Sequence, residues 1–150
     1  MANNAKAKPK ATTRTKGPAQ IGGSLASVYS DIETILKRHA PPFLFQDLGV
    51  RNKKSAQLTV PKPVAVPGEY GGKPVPRPLA AVILQKGYVG FYFMCVYGNN
   101  EAKKTLSLNL MKLLKGKSCF HVKALDEGLR KDIDAALEFG TKVFKERGWL

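Results

Sequence analysis

Two apolar segments set two residues apart limit the fold of this chain more than any other feature. Leu79–Gln85 and Tyr88–Tyr97 are apolar almost throughout, and Lys86-Gly87 between them leaves room only for a tight turn. The pair predicts an antiparallel hairpin. Large side chains fall on both faces of both strands, so both faces are expected to be at least partly covered. Tyr88–Tyr97 is also the longest apolar stretch. It is about half of the roughly 20 residues that a membrane-spanning helix needs, so no membrane association is expected.

The flanking sequence reads as helices and further strands. Ser24 is a good N-cap, and Leu25, Val28, Ile32, Ile35, Leu36 and His39 follow at helical spacing until Pro41-Pro42. Residues 43–54 admit a short helical turn. Ala56–Val60 and Val64–Val66 read as strands, and Pro61 and Pro63 assign them to an edge or a bulge. Residues 67–78 form a Pro/Gly loop, and Gly98-Asn99-Asn100 ends the second strand of the hairpin. Ser107 caps a short helix that Gly116 closes, and Ser118–Lys123 is a last strand. Asp126 and Glu127 open the final helix, whose buried stripe runs Leu129, Ile133, Ala136, Leu137, Gly140, Val143 and Phe144. Gly148 can cap it. With no βαβ alternation, the expected fold class is α+β. Residues 21–150 would form one domain, with an antiparallel sheet of about five strands flanked by N-terminal and C-terminal helices.

Charge is the second constraint. Lys and Arg number 25 against 11 Asp and Glu, for a net +14. Residues 1–20 read as a disordered basic tail in which Lys6, Lys8, Lys10, Arg14 and Lys16 meet no acid, giving +5. The remaining +9 belongs to the folded part. Ile21-Gly22-Gly23 is the expected hinge. Such a field attracts polyanions and acidic ligands. The first residues hold charge but no apolar run, so no secretory leader is expected. Cys95 and Cys119 are then expected to be reduced thiols in a cytoplasmic protein.

Val82–Tyr97 (VILQKGYVGFYFMCVY), followed by Leu113–Phe120 (LLKGKSCF) and a terminal helix, resembles the YdhG-like family, a domain of unknown function found mainly in bacteria. The similarity covers roughly residues 25–150. It implies an antiparallel sheet flanked by helices, similar in outline to frataxin. Some relatives are described as iron chaperones, a role that in frataxin rests on acidic residues of the first helix. Here that helix has only Asp31 and Glu33, offset by Lys37 and Arg38. Metal affinity rises with ligand charge, so iron binding is carried over to no residue.

No motif completes a catalytic constellation. Gly116-Lys117-Ser118 resembles the end of a phosphate-binding loop, but Met111 stands where an earlier glycine is needed, so a helix C-cap is the preferred reading. Cys119 and His121 alternate on one strand and share a face, yet no ligand spacing surrounds them. No residue is visibly placed to make Cys119 a nucleophile. Tyr88, Phe91, Tyr92, Phe93 and Tyr97 read as core packing rather than as a base-stacking surface. No catalytic residue, cofactor or metal is assigned.

The leading functional expectation is a non-catalytic binding domain for a small anionic ligand, held between the sheet and the loop 67–78. Lys73, Arg77 and Lys86 are the candidate cationic contacts, with Tyr88 and Tyr92 beside them. One alternative is non-specific nucleic-acid association through Lys6, Lys8, Lys10, Arg14 and Lys16. The other, by family analogy alone, is iron handling.

Overall fold

Ser24 accepts a hydrogen bond from the Ser27 amide and starts α1 (Leu25–Lys37), as its sequence predicts. The structure is a computed structural model describing residues 24–49 and 53–150. The basic tail, its five cationic residues and the Ile21-Gly22-Gly23 hinge lie outside the described residues. Val28, Tyr29, Ile32, Ile35 and Leu36 form the buried stripe of α1.

Six antiparallel strands follow: β1 (Leu44–Asp47), β2 (Ser55–Thr59), β3 (Pro78–Leu84), β4 (Val89–Phe93), β5 (Leu114–Lys115) and β6 (Cys119–Val122). Their order across the sheet is β1-β2-β3-β4-β6-β5. The central hairpin is β3 and β4, with Ala80 opposite Phe93 and Leu84 opposite Val89. Between β4 and β5 lie α2 (Asn100–Lys104) and α3 (Leu108–Met111), each capped by the side chain ahead of it, Asn99 and Ser107. The last helix, α4 (Glu127–Glu146), is capped by Asp126.

Several local expectations change. The described residues hold six strands rather than about five, because residues 44–47 form an edge strand, not a helical turn. Val64–Val66 is no strand: only Val64 bridges, to Val75. The segment ending at Thr59 lies inside the sheet, between β1 and β3, because Pro61 and Pro63 fall just beyond it. The hairpin's second strand stops at Phe93, and Met94–Val96 turn as a 3-10 helix. Gly116, with φ +82°, sits in the turn between β5 and β6 instead of ending a helix.

All the helical packing falls on one face of the sheet. Ala56, Leu58, Val82, Phe91, Phe93, Phe120 and Val122 point to that face and are fully buried beneath α1 and α4. Gly140 brings α4 close: a Cβ there would stand 2.5 Å from Leu79 Cδ1 and 3.0 Å from Phe93. Besides the Arg38–Asp134 ion pair at 3.6 Å, two hydrogen bonds tie α1 and the turn after it to α4. His39 Nε2 lies 2.8 Å from Asp134 Oδ1, and Arg130 donates to Asp31 at 2.8 Å. Among the described residues, no helix lies on the opposite face. On that face Gln57, Ala81, Ile83, Tyr92, Cys119 and His121 are half-buried and Ser55 and Gly90 are buried, so it is partly covered, as expected, although by side chains rather than by a helix. No helix among the described residues is long and apolar enough to cross a membrane.

Candidate functional site

The proline-rich connection between β2 and β3 folds into an arm. Val64 and Val75 exchange backbone hydrogen bonds of 2.9 and 3.1 Å, and Val60 N donates to Arg77 O at 3.0 Å. At the tip, Tyr70, Gly71 and Gly72 all have positive φ, which the two glycines adopt without a Cβ penalty. Arg77 closes the arm, and its side chain turns back along it. Nη1 donates to Glu69 Oε1 at 2.6 Å and Nε to Val64 O at 3.4 Å. The guanidinium lies 5.4 Å from the Tyr70 ring centre and 5.7 Å from that of Trp149. The side chain is only 12% exposed, and Nη2 is buried with no hydrogen-bond partner.

The facing wall is the end of α4. Gly148 N donates to Lys145 O and Trp149 N to Phe144 O, each at 3.0 Å, while Gly148 has φ +77°. This Schellman ending reverses the chain and turns the Trp149 ring onto Phe144, 4.8 Å away and nearly perpendicular. The Arg147 guanidinium lies over the Trp149 ring at 4.9 Å. Arm and helix end enclose a cleft of about 620 Å³, lined by Tyr70, Arg77, Tyr97, Arg147 and Trp149 among others. Its single carboxylate is Glu69, so two guanidinium groups outnumber it. Cys95 also borders the cleft. Burial pushes its thiol up to about 11, against a smaller opposing pull from Arg147. A protonated thiol is a poor nucleophile.

The helix-free sheet face is the second feature. The Tyr88 ring stacks on His121 with centres 3.8 Å apart and planes 13° from parallel. Tyr92 lies over Gly90, where a Cβ would come within 3.0 Å of its ring. At one end of the face Lys53, Ser55, Ile83 and Gln85 border a hollow of about 360 Å³. At the β5–β6 border Lys112, Lys115, Lys123 and His121 line a depression of about 590 Å³, with Asp126 as its one acid.

The residues expected to share one site occupy two. Arg77 lines the cleft, and Lys73 is exposed on the same arm without lining it. Lys86 stands in the β3–β4 turn, with Tyr88 and Tyr92 on the helix-free face. Arg77 lies just before β3, and Lys86 follows it after Gln85, so the whole seven-residue strand lies between them, roughly 24 Å at 3.4 Å per residue. Of the five aromatics read as core, Phe91 and Phe93 are buried, Tyr88 and Tyr92 lie on the helix-free face, and Tyr97 is exposed. Cys119 and His121 do share a face. Among the described residues, no three His, Cys, Asp or Glu side chains converge as a metal site would require.

Tyr70, Arg147 and Trp149 were not singled out from the sequence as site residues. A cationic helix end followed by Gly148-Trp149 is a visible reversal signal, but it does not name the partner that the ring meets. Comparison of the chain with protein-family models, curated proteins and solved structures gave no match.

Proposed function

We propose that the protein is a YdhG-like, non-catalytic binding domain for a small anionic ligand, seated in the cleft between the 60–77 arm and the end of α4. The observation that carries this reading is the buried, unpartnered Nη2 of Arg77. A buried donor without an acceptor costs about 1–3 kcal/mol. Nη2 is closed to solvent, so a carboxylate or phosphate oxygen in the cleft would relieve that cost by shifting the arm to reach it. Arg147 adds a second planar fork, and it has no carboxylate within salt-bridge distance among the described residues. Two guanidinium groups suit oxyanions because their paired donors match paired oxygens. Tyr70 and Trp149 offer flat apolar walls, which favours a ligand with a planar body.

A thermal-shift screen of small carboxylates, phosphates and nucleotides tests the proposal, followed by calorimetry on compounds that stabilise the fold. Arg77 also ties the arm to the helix end, so its loss would confound binding with stability. Arg147 is exposed and is the better probe. Arg147→Ala should weaken a genuine cleft ligand by about 10- to 150-fold, the range for a hydrogen bond to a charged group. Absence of any stabilising anion, or affinity indifferent to Arg147→Ala, would refute the assignment.

A further inference from the structure

We propose that the helix-free face of the sheet is a platform for single-stranded nucleic acid, separate from the cleft. Three observations converge on that chemistry.

The first is a pair of aromatic stations on an open surface. Tyr88, Gly90 and Tyr92 project to the same face, since side chains alternate along a strand. Tyr88 is held flat against His121 at 3.8 Å, so a ring is already presented parallel to a neighbour. Tyr92, four residues along the strand, is the second station: its backbone is about 13 Å from that of Tyr88, and its ring lies nearer than that because it leans over Gly90. Gly90 between them has no side chain, and the Tyr92 ring leans into that space. Aromatic rings spaced on an exposed sheet accept successive unpaired bases, each by its π-face.

The second is charge. No Asp or Glu occupies a strand position on this face. The strand pairing instead places Gln46, Ser55, Gln57, Cys119 and His121 there, beside apolar residues. Lysines stand around it: Lys53 and Lys86 at one end, and Lys112, Lys115 and Lys123 at the β5–β6 border. Strand positions without carboxylates, and a rim where three lysines outnumber Asp126 at the β5–β6 border, complement a phosphate backbone running past stacked bases.

The third is the chemistry of the hydrogen-bonding groups beside the rings. Gln46, Gln57 and Gln85 each carry both donor and acceptor atoms. Gln57 already donates to Gln46 at 2.8 Å, and Gln85 accepts from Lys53 at 2.7 Å. Between the stations lie Gly90, Ile83 and His121, and the glutamines stand to the side, where they offer uncharged donors and acceptors to base edges. A duplex hides its base faces and would meet only the lysines, so the arrangement selects single strands.

The test is fluorescence anisotropy of the full chain with labelled oligouridylate and oligothymidylate of about 12 nucleotides, within the range of known single-strand sites, against a duplex of equal length. Basic residues elsewhere attract both forms, so the informative quantity is the preference for the single strand. Tyr88→Leu and Tyr92→Leu should each weaken single-strand binding by about 5- to 100-fold and leave duplex binding unchanged. Tyr88→Phe should retain the preference. Lys115→Gln with Lys123→Gln should lower the salt slope by about two. Equal affinity for both forms, or Leu variants that bind the single strand as the parent does, would overturn the proposal. A second measurement needs no variant. Cys119 lies opposite Tyr92 and is half-exposed, so bound oligonucleotide should slow its alkylation, read by peptide mass spectrometry. An unchanged rate under saturating oligonucleotide would overturn the proposal equally.

Discussion

The Arg77 guanidinium lies 5.7 Å from the centre of the Trp149 ring, although one closes the proline-rich arm and the other follows the last helix. This contact joins two segments that no strand pairing connects. Trp149 also packs on Phe144 and beneath Arg147. Trp149→Ala should therefore cost about 2 kcal/mol, less than a fully buried aromatic because the ring is only half-buried. Urea unfolding measures the loss. Limited proteolysis should show faster cleavage near Tyr70 as the arm is released. A variant with the parent's midpoint would mean the contact is incidental.

Two glycines of α4 should respond to alanine in opposite directions. A Cβ at Gly140 meets Leu79 Cδ1 at 2.5 Å inside the core, so Gly140→Ala is overpacked and should lose about 1–3 kcal/mol. At Gly128 the nearest atom outside the helix backbone is Asp126 Oδ1 at 3.6 Å, an ordinary contact. Gly128→Ala should gain up to about 1 kcal/mol from helix propensity. Thermal melts of the two variants check both signs.

The polar links between α1 and α4 should differ in weight. His39 is largely buried against Asp134, so Asp134→Ala leaves its ring without that partner and should cost about 1–2 kcal/mol. Arg130 and Asp31 are each about two-fifths exposed, and Asp31→Ala should cost less than about 1 kcal/mol. Equal losses from the two variants would contradict this ranking. Chemical denaturation at low and high salt separates them further, because only the exposed pair should weaken appreciably with salt.

Stability should fall in alkali through Cys95. Its thiol ionises near 9.0 when exposed but is pushed up to about 11 in the fold, chiefly by burial. Between those values the unfolded chain releases its proton while the folded chain keeps it. The contribution is therefore constant below pH 9 and declines as pH approaches 11, by up to about 3 kcal/mol. Tyr29, raised to about 12 by burial and then by Glu33 and Asp47, extends the decline above pH 10. Urea midpoints across pH 8–11 in the parent and in Cys95→Ala check it, since the variant should show the shallower slope.

The helices and the central hairpin were legible because local chemistry alone specifies them. Ser24 and Asp126 accept the capping bonds their positions imply, and the buried stripes of α1 and α4 fall at the expected spacing. What failed was decided by distant partners. Leu44–Asp47 lacks any strand signature of its own and becomes a strand by pairing with β2. Val64–Val66 looks like a strand, but Pro61 and Pro63 separate it from the ladder and only Val64 bridges. Asn99-Asn100 reads as a strand terminator, and it is also the cap and start of α2. The same division governs the sites. Arg77 was visible as a cation in a proline-rich loop, whereas its stacking against Trp149 depends on how the arm meets the end of α4. Tyr88 and Tyr92 were visible as aromatics, but which face of the sheet lacks helices is a property of the whole packing.

The two borders of the sheet are unequally defended against self-assembly. At β5 the free edge is two residues long, and Lys112, Lys115 and Lys123 gather beside it. A second copy approaching there would face the same lysines and find almost no backbone to pair with. At β1 the edge runs four residues, with Leu44 46% and nearby Leu48 43% exposed. Growth of the sheet by an added strand is therefore directional, barred at the lysine border and open at the other. A charge placed at Leu44 would close the remaining side and raise the concentration the protein tolerates before it aggregates.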